Sequence, residues 1–453
     1  MKTHLPHLRR WVAAFTFAAM NSTAFDAIVI GCGPGGSSAA TFLARSGQRA
    51  LVLEKEIFPR FHIGESLLPC NMTIFRELGV LPALHAAGFP RKFGAQFELG
   101  NGSRSTRFAF RQGKYNREPE AIQVERAVFD HILLKHARAA GADVREGWTV
   151  QRFASDRDGV SLDATAPDGQ AHQFRAAYLI DASGRGNVTG NQEGVRVIHP
   201  RHKKLAVFGH FYDVVRDEGE RSTDIIIVRL PNKWFWIIPI SAEKTSVGLV
   251  IDKDEFAGET GTLPEIFQRW VESNPSIERR MKNARLINEM RTTSDFSYYN
   301  RRLVGERLLR VGDAAGFMDP IFSAGVFLAM WSGKLAAEVV QEALASGKPG
   351  GRRFAIYDKR VGKGLRFYWR MVENFYTTPF MELFLTPREH YNLFSAVIGA
   401  LAGEVEANWA LRWRLEYFFL LVKIQARWPI VPRISFAPVK AMASEGQPCT
   451  MKA

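Results

Sequence analysis

The residues with the most chemical content stand in one short segment, Phe317-Met318-Asp319-Pro320-Ile321-Phe322-Ser323-Ala324-Gly325. It follows a strand-like end, Arg310-Val311-Gly312-Asp313, and turns through Pro320 and Gly325 into an apolar helical run that starts near Val326. A helix start offers unpaired backbone N–H groups and the positive end of a dipole, so it suits a small anion. A second segment, Gly31-Cys32-Gly33-Pro34-Gly35-Gly36, sits between the buried-strand pattern of residues 25–30 and a helix-like run over 37–48. A second strand pattern over 49–53 then leads to Glu54. A G-x-G-x-x-G in that setting is a dinucleotide fingerprint. Gly31 allows the turn, Gly33 (before Pro34) lets the backbone approach a pyrophosphate, and Gly36 lets helix and strand pack closely. Glu54, 23 residues after Gly31, is placed to accept hydrogen bonds from a ribose.

Two later stretches identify the dinucleotide as FAD. Ala177-Tyr178-Leu179-Ile180-Asp181-Ala182-Ser183-Gly184-Arg185 is an apolar strand that turns after Asp181, and residues 308–316 repeat the pattern with Gly312-Asp313. This resembles the glutathione-reductase-like flavoproteins, in which a Gly-Asp pair sets a carboxylate on the ribityl chain. Asp313 takes that role by resemblance; a plain Asx turn is the alternative. Gln123-Val124-Glu125-Arg126 precedes a helical run over 127–140 and resembles the stretch of aromatic hydroxylases whose arginine approaches the cofactor. Otherwise Arg126 merely opens a surface helix. An anion held beside a flavin suggests halide oxidation.

Four segments carry a closer resemblance, to the flavin-dependent halogenases, over nearly all of residues 25–435. The first is 317–325, similar to that family's F-x-x-P-x-x-S-x-G. Trp234-Phe235-Trp236-Ile237-Ile238-Pro239 is similar to W-x-W-x-I-P. Residues 58–69 contain Ile63-Gly64-Glu65-Ser66 and Pro69, and resemble the mobile flavin loop with its G-E-S-x-x-P core. In Phe89-Pro90-Arg91-Lys92-Phe93-Gly94-Ala95, Lys92 falls at the family's active-site lysine.

The resemblance implies that reduced flavin (FADH2) and O2 oxidise chloride or bromide to hypohalous acid. It places the halide on the backbone N–H groups of Ala324 and Gly325, and Ile63, Gly64 and Pro320 beside the cofactor. Lys92 then aims the oxidant by hydrogen bonding, or captures it as a haloamine, for an electron-rich ring. An ammonium in a partly apolar pocket has a lowered pKa, which helps either role; the plainer alternative is a surface lysine. Trp234 and Trp236 point to one face of a strand and either wall the flavin from the substrate or pack a half-buried sheet. Tryptophan halogenases carry a glutamate immediately before the serine of their segment, where this chain has Phe322. A phenol or pyrrole, either free or tethered to an acyl or peptidyl carrier protein, is therefore expected in place of free tryptophan. That chemistry belongs to antibiotic and other secondary metabolism. A second G-x-G-x-x-G for a nicotinamide nucleotide is not visible, so a separate reductase is expected to supply FADH2. A flavin aromatic hydroxylase and a geranylgeranyl-reductase-like enzyme are the alternative activities; a flavoprotein without chemistry is a third.

The elements that must position these residues form an α/β chain. The expected plan is a Rossmann-like FAD-binding domain of the glutathione-reductase and aromatic-hydroxylase type, a β-sheet substrate domain and a C-terminal helical lobe. FAD-binding parts are expected at 25–90, 121–198 and 295–345. Substrate-domain strands are expected at 91–120 and 199–294, and the helical lobe at 346–435. At 453 residues the chain is too long for one simple core. An excess of 60 basic over 46 acidic residues gives a formal +14, which favours acidic partners. No basic block indicates nucleic acid; Arg201-His202-Lys203-Lys204 is expected to be a solvated face. Cys32, Cys70 and Cys449 have no metal-site or disulfide spacing, which fits a reducing, cytoplasmic setting. The apolar run over 11–20 is too short to span a bilayer. Residues 1–24 are expected to be an extension, with Met20 the natural start, and 436–453 a disordered tail.

Overall fold

The computed structural model describes residues 25–437, apart from Arg201, Asp295, Phe296, Pro349 and Ala407. The expected extension over 1–24, the Met20 start and the tail beyond 437 lie outside the described residues. The strand Phe25–Ile30 is aliphatic on both faces, so both faces must be covered. It lies at the centre of a parallel array ordered Leu308–Arg310, Ala171–Asp181, Phe25–Ile30, Ala50–Glu54, Asp143–Glu146. Ala27 and Val29 pack toward the helices Pro34–Arg45 and Gly325–Ser346. Ile28 and Ile30 pack on the other face against Val150, Phe153, Val160 and Leu162 of the antiparallel pair Thr149–Ser155 and Val160–Thr165. The two helices cross with their backbones nearly touching: a Cβ on Gly333 would lie 2.4 Å from the carbonyl oxygen of Gly35.

A second sheet runs in the order Arg285–Leu286, Lys204–Tyr212, Thr245–Asp252, Lys233–Pro239, Ile225–Leu230, Gly94–Leu99, Ser105–Ala109. Its inner face sends Phe97, Phe208, Ile225, Ile227, Trp234 and Trp236 into the main core. Its outer face packs Val207, Val228, Phe235 and Leu249 against the helices Leu263–Glu272 and Pro275–Met281. The expected strands of residues 199–294 are thus interrupted by these two helices. The signal for the first of these helices was Thr262 with Glu265, which form a capping box, and a proline in the first turn. A two-residue ladder between Arg91–Lys92 and Ala121–Ile122 brings Lys92 to the margin of this sheet.

The helices Gly351–Phe375, Thr378–Phe384, Leu393–Ala402 and Trp409–Arg427 complete the chain. Among the described residues, no helix is long and apolar enough to cross a membrane. The α/β class with a helical C-terminal region is as expected. The basic run near 201–204 is not a solvated face throughout. Lys204 is buried, donates to the Asn232 carbonyl and lies 2.8 Å from Asp252. Its ammonium also covers the Tyr376 ring at 4.4 Å, so burial of its stem is compensated by three partners.

Candidate active site

A cavity of about 450 Å3 opens beyond the C-terminal ends of the parallel strands, where doubly wound sheets hold dinucleotides. Gly31, Gly33 and Pro34 line it, with Glu54 at the end of the next strand and Asp313 at the end of Leu308–Arg310. Gly31 has φ +88°, a region that favours glycine. A Cβ on Gly36 would sit 1.9 Å from the Gly31 carbonyl oxygen, so that glycine is required by helix-to-strand contact and does not face the cavity. A Cβ on Gly33 would meet only Arg60, at 3.6 Å, which leaves the backbone approachable from the cavity. Glu54 accepts from the amides of Cys32 at 2.6 Å and Glu56 at 2.9 Å, and its carboxylate still has lone pairs for a ribose.

Asp313 is only half-buried by surface yet lies deep in the cavity wall. Burial pushes its carboxyl up to about 6, while the charges of Arg185 and Arg126 pull the other way. Asp181 does not reach the cavity. It accepts from the amides of Ser183 at 3.0 Å and Thr189 at 2.9 Å, and so shapes the turn over 182–186 whose backbone lines the site.

The loop over 58–69 closes one side. Arg126 grips Asp130 through two 2.8 Å bonds and donates to the carbonyl of Ile63 at 2.5 Å, against Gly64 with φ +95°. Arg126, Ile63 and Gly64 thus meet at the cavity. Glu65 is bound by His210 at 2.7 Å, and Phe61 stacks on Phe208 with an interplanar angle of 4°. Lys92 is the third anchor. Its ammonium donates to Ser66 Oγ and to the Leu67 carbonyl, both at 2.9 Å, and lies 5.4 Å from the Phe110 ring centre. Lys92 is 1% exposed, which removes the surface-lysine alternative. It does not line the cavity, but Ser66 does, so the amine stands one hydrogen bond behind the wall. Burial lowers its pKa to about 7, with Asp224 opposing.

Pro320, Ser323 and Gly325 also line the cavity. Ser323 takes φ +56°, and the helix Gly325–Ser346 starts beside it. Ala324 and Gly325 also border an adjoining cavity of about 20 Å3, room for one water-sized species, which shares Gly312, Asp313 and Phe317 with the large one. Trp234 and Trp236, on one face of a strand, line the cavity as well, with ring centres 5.9 Å apart. Each indole N–H has a partner at 3.0 Å, Tyr376 Oη for Trp234 and Ser246 Oγ for Trp236. Opposite Trp236 is Gly248, where a Cβ would come within 2.3 Å of the indole. Phe322 turns away into a cluster with Phe97 and Phe375. Beyond Phe97 and Phe384, whose ring centres are 4.7 Å apart, the C-terminal helices border a second, mainly apolar cavity of about 350 Å3.

Residues 24–359 match the family described as FAD binding domain. A 1H-pyrrole-2-carbonyl-[peptidyl-carrier protein] chlorinase of Pseudomonas fluorescens is 30% identical over 379 residues, covering 79% of this chain and 84% of the relative. The chain belongs to the flavin-dependent halogenases. A tryptophan 2-halogenase of Chondromyces crocatus is 36% identical over 324 residues, covering 70% of this chain but 61% of that longer protein. The solved flavin-dependent brominase Bmp2 superposes with a TM-score of 0.79 at 31% identity, covering 89% of this chain and all of the other.

The halogenase is an oxidoreductase that binds FAD, and the family's reaction requires a halide and O2. The residues fit the cofactor: an approachable Gly33 backbone, an acidic strand end at Glu54, and a carboxyl at Asp313 set in the wall of one continuous cavity. The motifs did not assign roles to Ser66, His210 or the Tyr376–Asp319 pair. Ser66 belongs to the Gly64-Glu65-Ser66 core of the loop, but only the fold shows that it caps Lys92. Asp319 is buried, accepts from Tyr376 through one oxygen and has no partner among the described residues at the other.

Proposed function

We propose that this halogenase modifies an electron-rich aromatic ring, a phenol or pyrrole carried as an acyl thioester, and that Lys92 delivers the oxidant to it. Bound and reduced, FAD supplies with O2 the oxidising equivalent that turns chloride or bromide into hypohalous acid. Backbone N–H groups of Ala324 and Gly325 hold the halide; amide donors at a helix start need no charged side chain. Trp234 and Trp236 form the wall that only a small oxidant passes. Lys92, whose charged form is disfavoured by burial, has a lone pair for halogen capture when it is neutral.

One observation carries this reading: the helix start at Gly325, the paired indoles and Ser66, which accepts from the buried Lys92 amine, all line the same cavity. The carrier-bound substrate is supported by the Pseudomonas relative, which acts on a carrier-bound pyrrole, and by the phenylalanine at 322. The formal charge of +14 suits an acidic carrier. The apolar cavity behind Phe97 and Phe384 is the candidate chamber for the ring. A separate cytoplasmic reductase supplies FADH2. The domain boundaries expected above would then divide cofactor, barrier and chamber.

The test is turnover of purified protein with enzymatically supplied FADH2, air, bromide or chloride, and a panel of phenols and pyrrole-2-carboxyl thioesters. Halogen isotope patterns in the product mass support the proposal. Oxygen insertion would identify a hydroxylase, and saturation of an added prenyl alkene a reductase.

A further inference from the structure

Away from the flavin cavity, His199 and His202 meet the last turns of the helix Gly351–Phe375. We propose that His199, His202 and Glu373 form a binding site for a divalent zinc-type ion that clips this connection to the helix. One ligand atom from each residue lies within 4.8 Å of the others, and His199 Nε2 is already 3.5 Å from Glu373 Oε1. Zinc takes nitrogen and carboxylate ligands at about 2.0–2.2 Å in a tetrahedron, which sets ligand atoms roughly 3.3 Å apart. Closure therefore needs side-chain shifts of about 1–2 Å, within reach of a surface loop.

The ligand set is chemically suited to that ion. Two imidazoles and one carboxylate form an N2O set, and the exposed Glu373 side leaves a fourth position to water. The imidazoles are already oriented. His199 stacks on Trp369, with centres 5.1 Å apart and planes at 23°, and Trp369 stands one turn before Glu373 on the same helix. The His199 amide donates to the Ser297 carbonyl at 2.8 Å, fixing the backbone. The His202 ring faces Tyr376 at 5.6 Å. Lys204 is the adverse charge nearby, but its ammonium is engaged by Asp252 and the Asn232 carbonyl.

The clip would have a structural consequence. The helix it holds ends in Phe375 and Tyr376, which contact Phe322 and Asp319 of the segment before the anion-suited helix start. A bound ion would stiffen the support of that segment without touching the reacting groups.

Metal-free full-length protein should be titrated with Zn2+ against a chromogenic chelator, and with Co2+ to read the ligand-field spectrum. One ion per chain with tetrahedral-type Co2+ bands is expected. His202→Asn and Glu373→Gln should each weaken Zn2+ binding by about tenfold or more, and Trp369→Leu, which removes only an orienting contact, should weaken it less. FAD binding by each variant serves as the folding control. The proposal is overturned by an absence of stoichiometric binding, or by His202→Asn and Glu373→Gln variants that fold and bind Zn2+ as the unchanged protein does.

Discussion

Replacing Lys92 with methionine separates the cost of burying this amine from its use. Methionine has similar length and volume, so the core should close around it. The Lys92 pKa is lowered from 10.5 to about 7, and each unit corresponds to about 1.4 kcal/mol. Between pH 7 and pH 10.5 the unfolded chain therefore binds the proton that the folded chain has released. Stability of the unchanged protein should rise with pH through that window relative to the variant. From pH 7 to pH 9 the difference should move by about 2 kcal/mol in favour of lysine. Two lost hydrogen bonds, to Ser66 and to the Leu67 carbonyl, offset part of the relief at neutral pH, at about 1–3 kcal/mol for each group left unsatisfied. Urea denaturation of both proteins at pH 7, 8 and 9 gives the stabilities. Mass spectrometry of the product and halide-dependent oxidation of FADH2 give the function. Product halogenation should vanish while flavin oxidation continues. Parallel stability curves would refute the depressed amine, and undiminished product would remove Lys92 from delivery.

Other expectations follow from single contacts. Gly36→Ala places a Cβ 1.9 Å from the Gly31 carbonyl oxygen and should cost about 3 kcal/mol together with FAD affinity, read by thermal unfolding and flavin fluorescence. Trp236→Ala should keep the fold but let oxidant escape, seen as halogenation of an added phenolic scavenger; unchanged leakage would make the indole plain packing. Burial lowers the His210 pKa, but its bond and charge from Glu65 outweigh this and hold it above 6.5. The hold on the 58–69 loop is then full below pH 6.5 and lost as pH rises through the folded value. Hydrogen exchange in that loop, corrected for intrinsic rate, should quicken at alkaline pH, and His210→Asn should abolish the difference.

The cofactor half of the site was legible because its demands are local. A glycine turn, an acidic strand end and a Gly-Asp strand end are each fixed within a few residues, and Gly31, Gly33, Glu54 and Asp313 do line one cavity. Asp181 shows the limit. Its strand-end pattern was right, but its carboxylate is consumed by the amides of Ser183 and Thr189. The hairpin over 149–165 and the helices over 263–281 were not read, although Val160–Thr165 alternates and Thr262 caps a helix.

Sequence alone determined that this chain binds a dinucleotide through a strand–turn–helix unit and starts a helix near Val326, since backbone geometry and dipoles depend on neighbours along the chain. Tertiary structure decided that Lys92 is buried, neutralised toward pH 7 and screened from the cavity by Ser66. Desolvation and long-range hydrogen bonds depend on which surfaces meet, and residues 66 and 92 meet only because the chain folds a loop across the edge of a sheet.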